Sequence, residues 1–355
     1  MCTASQFRRA NPSTLVGNRL SAFMPRRDRE RNSVRNISAL GLCGIVGLML
    51  ARGTVGLAGQ APDVIGSVRA AIAQRDFGAG DRIVADYRTA HGVTPEMLEA
   101  LSWLGRGALA SKQWEKADEY ATRTYDLARA ALKNRSVDQE PHLPTALGAA
   151  IEVRAHASTA LGARSEAVLV LQRELAIYKG TSLVKRIQKN INLLSLEGKA
   201  APPLDMSEYL GPKPLPLAEL KGKVVILFFW AHWCPDCKMQ GPILGRMLAK
   251  YGAQGLSMVA PSQRYGYVAA GKPAAPDEEL RYIRSVRDIA YGVLADQPVP
   301  LSEVNHVRYG VSTTPTLVLV DRAGIVRLYH PGRMTDEELE PLIRGLVADR
   351  LPAAH

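Results

Sequence analysis

Two cysteines three positions apart, in Trp233-Cys-Pro-Asp-Cys-Lys238, are the residues of this 355-residue chain best suited to chemistry. Thiols one helical turn apart can close a disulfide and open it again, provided one of them ionises, because the thiolate is the attacking form. A structural staple is a weaker use of the pair, since closing so short a loop takes little entropy from the unfolded chain. A zinc site would need a second Cys-x-x-Cys or Cys/His pair, and the sequence has none. Thiol–disulfide exchange is the chemistry that remains, and it requires neither metal nor cofactor.

The flanking residues say how such a pair would be held. Val224-Val-Ile-Leu-Phe-Phe229 is a short β-branched and aromatic run, as expected of a strand covered on both faces. Pro235 fits the first turn of a helix, where a missing N–H costs nothing. A strand therefore ends and a helix begins at the cysteines, which places Cys234 at the helix N-terminus. Unpaired backbone N–H groups and the positive end of the helix dipole favour a thiolate there.

At this point the chain resembles the thioredoxin superfamily, and within it the extracytoplasmic thiol-disulfide reductases of the TlpA/ResA kind, over roughly residues 204 to 348. Leu217-Ala-Glu-Leu-Lys-Gly-Lys223 is similar to that family's lead-in to the first core strand. Pro242 falls where thioredoxins carry a helix-kinking proline, Thr313-Thr-Pro-Thr316 resembles their cis-proline loop, and Leu317 to Val326 resembles the hairpin after it. The resemblance implies an α/β thioredoxin-like fold, a central mixed sheet flanked by helices. It also implies a site in which Cys234 attacks, Cys237 resolves, and Trp233, Thr314 and a cis Pro315 flank the sulfurs and bind an extended substrate segment. The partners it implies are a protein disulfide or dithiol client and a membrane-bound thiol electron donor.

Two positions depart from that pattern. Thioredoxins place a buried aspartate six residues before the first cysteine, where this chain has Phe228; ResA-like reductases place a glutamate three residues after the second, where it has Gln240. Proton handling at Cys237 then falls to water, to Gln240 as a hydrogen-bond relay, or to another group. Asp236 should oppose thiolate formation, and a protonated His232 would favour it.

Composition describes globular protein, with 46% hydrophobic and 22% charged residues. The net charge of +11 is misleading, because residues 1–52 hold nine arginines against Asp28 and Glu30, a net +7, leaving +4 downstream. The sequence carries no nucleic-acid patch. The leader has a basic segment from Arg26 to Arg35, then an apolar run from Ile37 to Ala51, shorter than the ~20 residues of a spanning helix. Gly56-Leu-Ala58 and Gly59-Gln-Ala61 could each end a cleavage site, so residues 1–61 read as an export signal or an N-terminal membrane anchor, with Met24 a candidate start. The location expected is extracytoplasmic. Removal of the leader takes Cys2 and Cys43 with it and leaves only the active pair.

Residues 62–198 read as an all-α helical-repeat domain, 199–204 as a linker and 205–350 as the thioredoxin-like domain. Met97, Leu98, Leu101, Leu104 and Ala108 recur at helical spacing, as do Trp114, Ala117, Ala121, Thr124 and Ala128. Hairpins are expected over Asp63–His91, Thr94–Leu132 and Leu143–Lys179, with a last helix over Leu183–Leu196. The middle hairpin resembles a tetratricopeptide repeat, with Gly105 and Ala117 at its small positions. Stacked repeats of that kind build a concave face for a peptide or protein. His91, His142 and His156 show no ligand spacing. The competing class is a helical adaptor whose redox part senses or binds with little turnover.

Overall fold

The computed structural model describes residues 63–133 and 135–349; the leader, Cys2, Cys43 and both candidate starts lie outside them. The helical region holds three antiparallel pairs: α1 (Val64–Ala73) with α2 (Phe77–His91), α3 (Pro95–Ala110) with α4 (Trp114–Leu132), and α5 (Leu143–Ala160) with α6 (Arg164–Ile177). A last helix, α7 (Leu183–Ser195), follows them. Asp63, Asp76 and Thr94 cap the first three helices by accepting a backbone N–H from the first turn. The five positions read from α3 are all buried; of the five from α4, Trp114 is half-buried and the rest are buried.

The sheet explains why the cysteines sit where they do. Strands β2 (Val224–Phe229), β3 (Leu256–Val259), β5 (Thr316–Val320) and β6 (Val326–Pro331) lie in the order β3-β2-β5-β6. β2 runs parallel to β3 and antiparallel to β5. A short pair, β1 (Tyr209–Leu210) with β4 (Val299–Pro300), continues the edge beyond β3 through Ala260 N–H to the Pro298 carbonyl. The register Phe229↔Thr316 sets the residue after the proline loop opposite the last residue before the cysteine turn, so pairing alone brings Pro315 to the site.

Alternation in β2 sorts its side chains into two cores. Val224, Ile226 and Phe228 meet the core under α8 (Pro235–Tyr251), α9 (Pro276–Ala290) and α11 (Asp336–Ala348). Val225, Leu227 and Phe229 face the other way, onto Leu196, Leu204, Tyr309 and Val311. The end of α7 and the segment after it thus lie against the second face of the sheet, beside Tyr309 and Val311. α7 serves both sides, with Ile187 and Ile191 in the helical core and Leu193 against the sheet core. Residues 199–204, read as a linker, are extended, but they are bonded along the β5–β6 hairpin: Ala201 N–H donates to the Gly324 carbonyl and Val326 N–H to that of Lys199, each at 2.9 Å. α9 buries only a narrow stripe, with Ile283 enclosed and Ile289 84% exposed.

His306, on α10 (Glu303–Arg308), is fully enclosed, with its ring edge on Phe229 and Nδ1 at 3.2 Å from the Ser302 carbonyl. Burial pushes its pKa down to about 3. The folded value lies below the unfolded one of about 6.5, so this contribution is complete above that pH and is lost as pH falls toward 3. Acid unfolding curves of His306→Gln should be shallower over that interval than those of the parent, by up to about 1.4 kcal/mol per pH unit. Parallel curves would show that another group carries the acid sensitivity.

Candidate active site

β2 ends at Phe229 and α8 begins at Pro235, and Cys234 is the N-cap between them. Its sulfur accepts the backbone N–H of Cys237 at 3.1 Å, one of the donors a helix start leaves unpaired. Cys234 and Cys237 are joined in a disulfide, with their Cα atoms 5.3 Å apart. Cys237 is fully enclosed, and Cys234 is 2% exposed. The Cys234 sulfur lies 3.4 Å from the Thr314 carbonyl, and the Thr314–Pro315 peptide is cis, as the resemblance implied. Trp233 projects beside them, 45% exposed, its outer face open and its ring edge-on to Tyr265 at 5.5 Å.

An exposed aromatic, a capped sulfur and a cis-proline loop around one disulfide are the parts of an exchange site. Comparison with known proteins matches the same part of the chain. The AhpC/TSA family matches residues 198–329. The thioredoxin-like protein YneN of Bacillus subtilis is 30% identical over 144 residues, 41% of this chain and 76% of YneN. The chain belongs to the thioredoxin-like family. The thiol-disulfide oxidoreductase ResA of Bacillus thuringiensis is 28% identical over 149 residues, 42% of this chain and 78% of ResA. A solved structure from Chlorobium tepidum, assigned as thiol:disulfide interchange protein DsbE, aligns at 29% identity over 42% of this chain and 97% of that one, with a TM-score of 0.33. The thioredoxin-like part of the chain is accordingly a thiol-disulfide oxidoreductase.

Within this thioredoxin-like site the two departures have physical consequences. Phe228 is fully buried in the core, so no carboxylate comes from β2. Gln240 is also fully buried, and its orientation is fixed by chemistry: the atom that accepts the Met334 N–H at 2.9 Å must be Oε1. Its Nε2 has no partner among the described residues. An amide whose acceptor is engaged and whose nitrogen can only donate takes no proton from a thiol.

His232 stands apart from the sulfurs' immediate partners. It is 1% exposed, and its Nε2 lies 3.4 Å from Glu279 Oε1. Burial lowers its pKa, against the opposing pull of Glu279, and so favours the neutral ring over the charged one that would help a thiolate. Tyr265, Tyr267 and Tyr282 enclose the ring, each edge-on at 5.3–5.6 Å.

Glu279 was not apparent from sequence as part of this region. Buried at 1% exposure, it accepts the N–H groups of Tyr265 at 2.5 Å and Gly266 at 2.9 Å. It thereby clamps the loop from Ser262 to Ala275 that leads into α9, and the loop in turn holds Tyr265 against Trp233. The available signal was an acidic residue in the first turn of an amphipathic helix, which ordinarily marks only a favourable helix start. Among the described residues no group of three or more His, Cys, Asp or Glu side chains is arranged to hold a metal.

Proposed function

We propose that this protein exchanges disulfides with exported protein clients through Cys234 and Cys237. The observation that carries the reading is the Cys237 N–H donated to the N-cap sulfur of Cys234, which stabilises negative charge on that atom more than on its partner. The Cys234 thiolate attacks a client disulfide; one client sulfur leaves and takes a proton, and a mixed disulfide forms. Cys237 then gives up its proton and attacks Cys234, expelling the second client sulfur as a thiol. Two electrons pass to the client, and the Cys234–Cys237 disulfide is the oxidised product. A thiol donor, which we place at the membrane, would reduce it again. Trp233 and the Thr314 backbone flank the sulfur and are where an extended client segment would lie.

Insulin reduction with a small dithiol as electron source tests the catalytic reading. The full chain should accelerate insulin precipitation over many turnovers, and a rate equal to the dithiol alone would leave the adaptor reading in its place.

Export rests on the leader's charge and apolar run. No helix among the described residues is long and apolar enough to cross a membrane. An enzyme active only outside the cytoplasm, fused after residue 200, should be active in cells. An inactive but intact fusion would show that the leader does not export.

A further inference from the structure

In the helical region, cations from α1, α3 and α7 gather around Trp103 and the Thr145 carbonyl. The Arg69 guanidinium lies 4.7 Å from the centroid of Trp103, and that of Arg106 lies 4.3 Å from it. Arg106 Nη2 donates to the Thr145 carbonyl at 3.3 Å, and Arg186 Nη1 reaches the same oxygen at 3.5 Å. Two guanidinium ions sharing one carbonyl oxygen repel each other. The environment records it: burial first, and then the charge of Arg186, pushes Arg106 down to about 10.

The nearby carboxylates are already committed. Glu152 accepts Arg186 Nε at 2.7 Å and Lys189 Nζ at 3.2 Å, and Glu99 bonds His142 at 2.8 Å. Among the described residues Arg186 and Lys189 share Glu152, Glu99 is held by His142, and neither Arg69 nor Arg106 forms an ion pair. A second, independent observation is that Arg106 Nε and Trp103 Nε1 are buried donors with no partner among the described residues. Donors of this kind ordinarily find an acceptor.

We propose that this strip across α1, α3, α5 and α7 is a binding site for a carboxylate-bearing peptide segment. A guanidinium matches a carboxylate in plane and spacing, and two neighbouring ones accept the charge that neither Thr145 nor Glu152 supplies. Trp103 and the exposed Arg69 offer an apolar wall with a charged rim for the adjoining residue. A polyanion such as nucleic acid fits less well, because Glu152 and Glu99 line the same strip and the excess charge is small. The site is distinct from the disulfide but belongs to the same body, since Lys185, also on α7, bonds Gln263 at 3.3 Å and Glu303 at 2.9 Å.

The test is calorimetric titration of the full chain, both cysteines intact, with a hexaglutamate peptide and with hexaglutamine as control. Hexaglutamate should bind saturably and at least about tenfold more tightly than hexaglutamine at low salt, weakening as salt is raised. Arg106→Gln should lower that affinity about tenfold and Arg69→Gln about threefold, with insulin reduction unchanged in both. Arg69 is exposed, so its variant decides the matter if Arg106→Gln fails to fold. Equal binding of the two peptides, or full affinity in Arg69→Gln, overturns the proposal. So does displacement of hexaglutamate by equimolar inorganic phosphate, which would mark a simple anion site.

Discussion

Cys237→Ser should accumulate a covalent client adduct on Cys234, whereas Cys234→Ser should accumulate almost none. Both variants should lose insulin turnover by about a thousandfold or more, as removal of either member of a unit that acts together does. The asymmetry between them follows from geometry. Cys234 is the N-cap, its sulfur takes the Cys237 N–H at 3.1 Å, and it lies against the Thr314 carbonyl at the base of the exposed Trp233. Cys237 is inside the first turn and fully enclosed, so a client sulfur reaches it only through Cys234. With serine at 237 the mixed disulfide has no internal thiol to release it, and among the described residues the chain has no other cysteine to substitute. Non-reducing electrophoresis after acid quenching reads the adduct directly. Equal trapping by both variants would overturn the assignment of Cys234 as the attacking sulfur, and no trapping by either would remove the client reading.

The parts of this molecule set by local pattern were legible in the sequence. β2 is an unbroken apolar run because it is covered on both faces, and the proline loop follows because β5 pairs with β2 in a fixed register. Thr335 and Glu338, at Thr-x-x-Glu spacing, form a capping box at the start of α11. What the pattern did not reveal depends on which surfaces meet. Ile289 keeps its helical spacing but points outward, since α9 buries only the stripe through Ile283 and Glu279. Glu279 looks like any acidic first-turn residue until a loop from elsewhere presents two N–H groups to it. His232 sits two positions from the nucleophile, yet burial among three tyrosines decides its protonation. Prolines after Ala201 favour an extended segment, but nothing in their pattern shows that Tyr309 donates to the Pro202 carbonyl and fixes it in place.

Gly310→Ala should be among the most destabilising single-methyl changes in the chain, because this glycine is where the sheet's loop meets the backbone of α7. A Cβ there would lie 2.2 Å from Lys189 N and 2.6 Å from Gln188 C, both main-chain atoms of a helix that cannot swing aside. The residue also holds φ of +61°, in the left-handed region that costs an alanine extra. Together the overlap and the strained φ should cost about 3 kcal/mol or more. Gly180→Ala is the control, since its φ is +80° but nothing lies within 4 Å of its added methyl. It should cost only about 1–2 kcal/mol, the strain without the overlap. Guanidinium unfolding followed by circular dichroism measures both. In Gly310→Ala the lost free energy should come from the contact between the helices and the sheet, so the transition should broaden or split as the two parts begin to melt separately. If the two variants lose equal stability with unchanged slopes, α7 is not packed against Gly310 in solution, and its seating against the second sheet face fails with it.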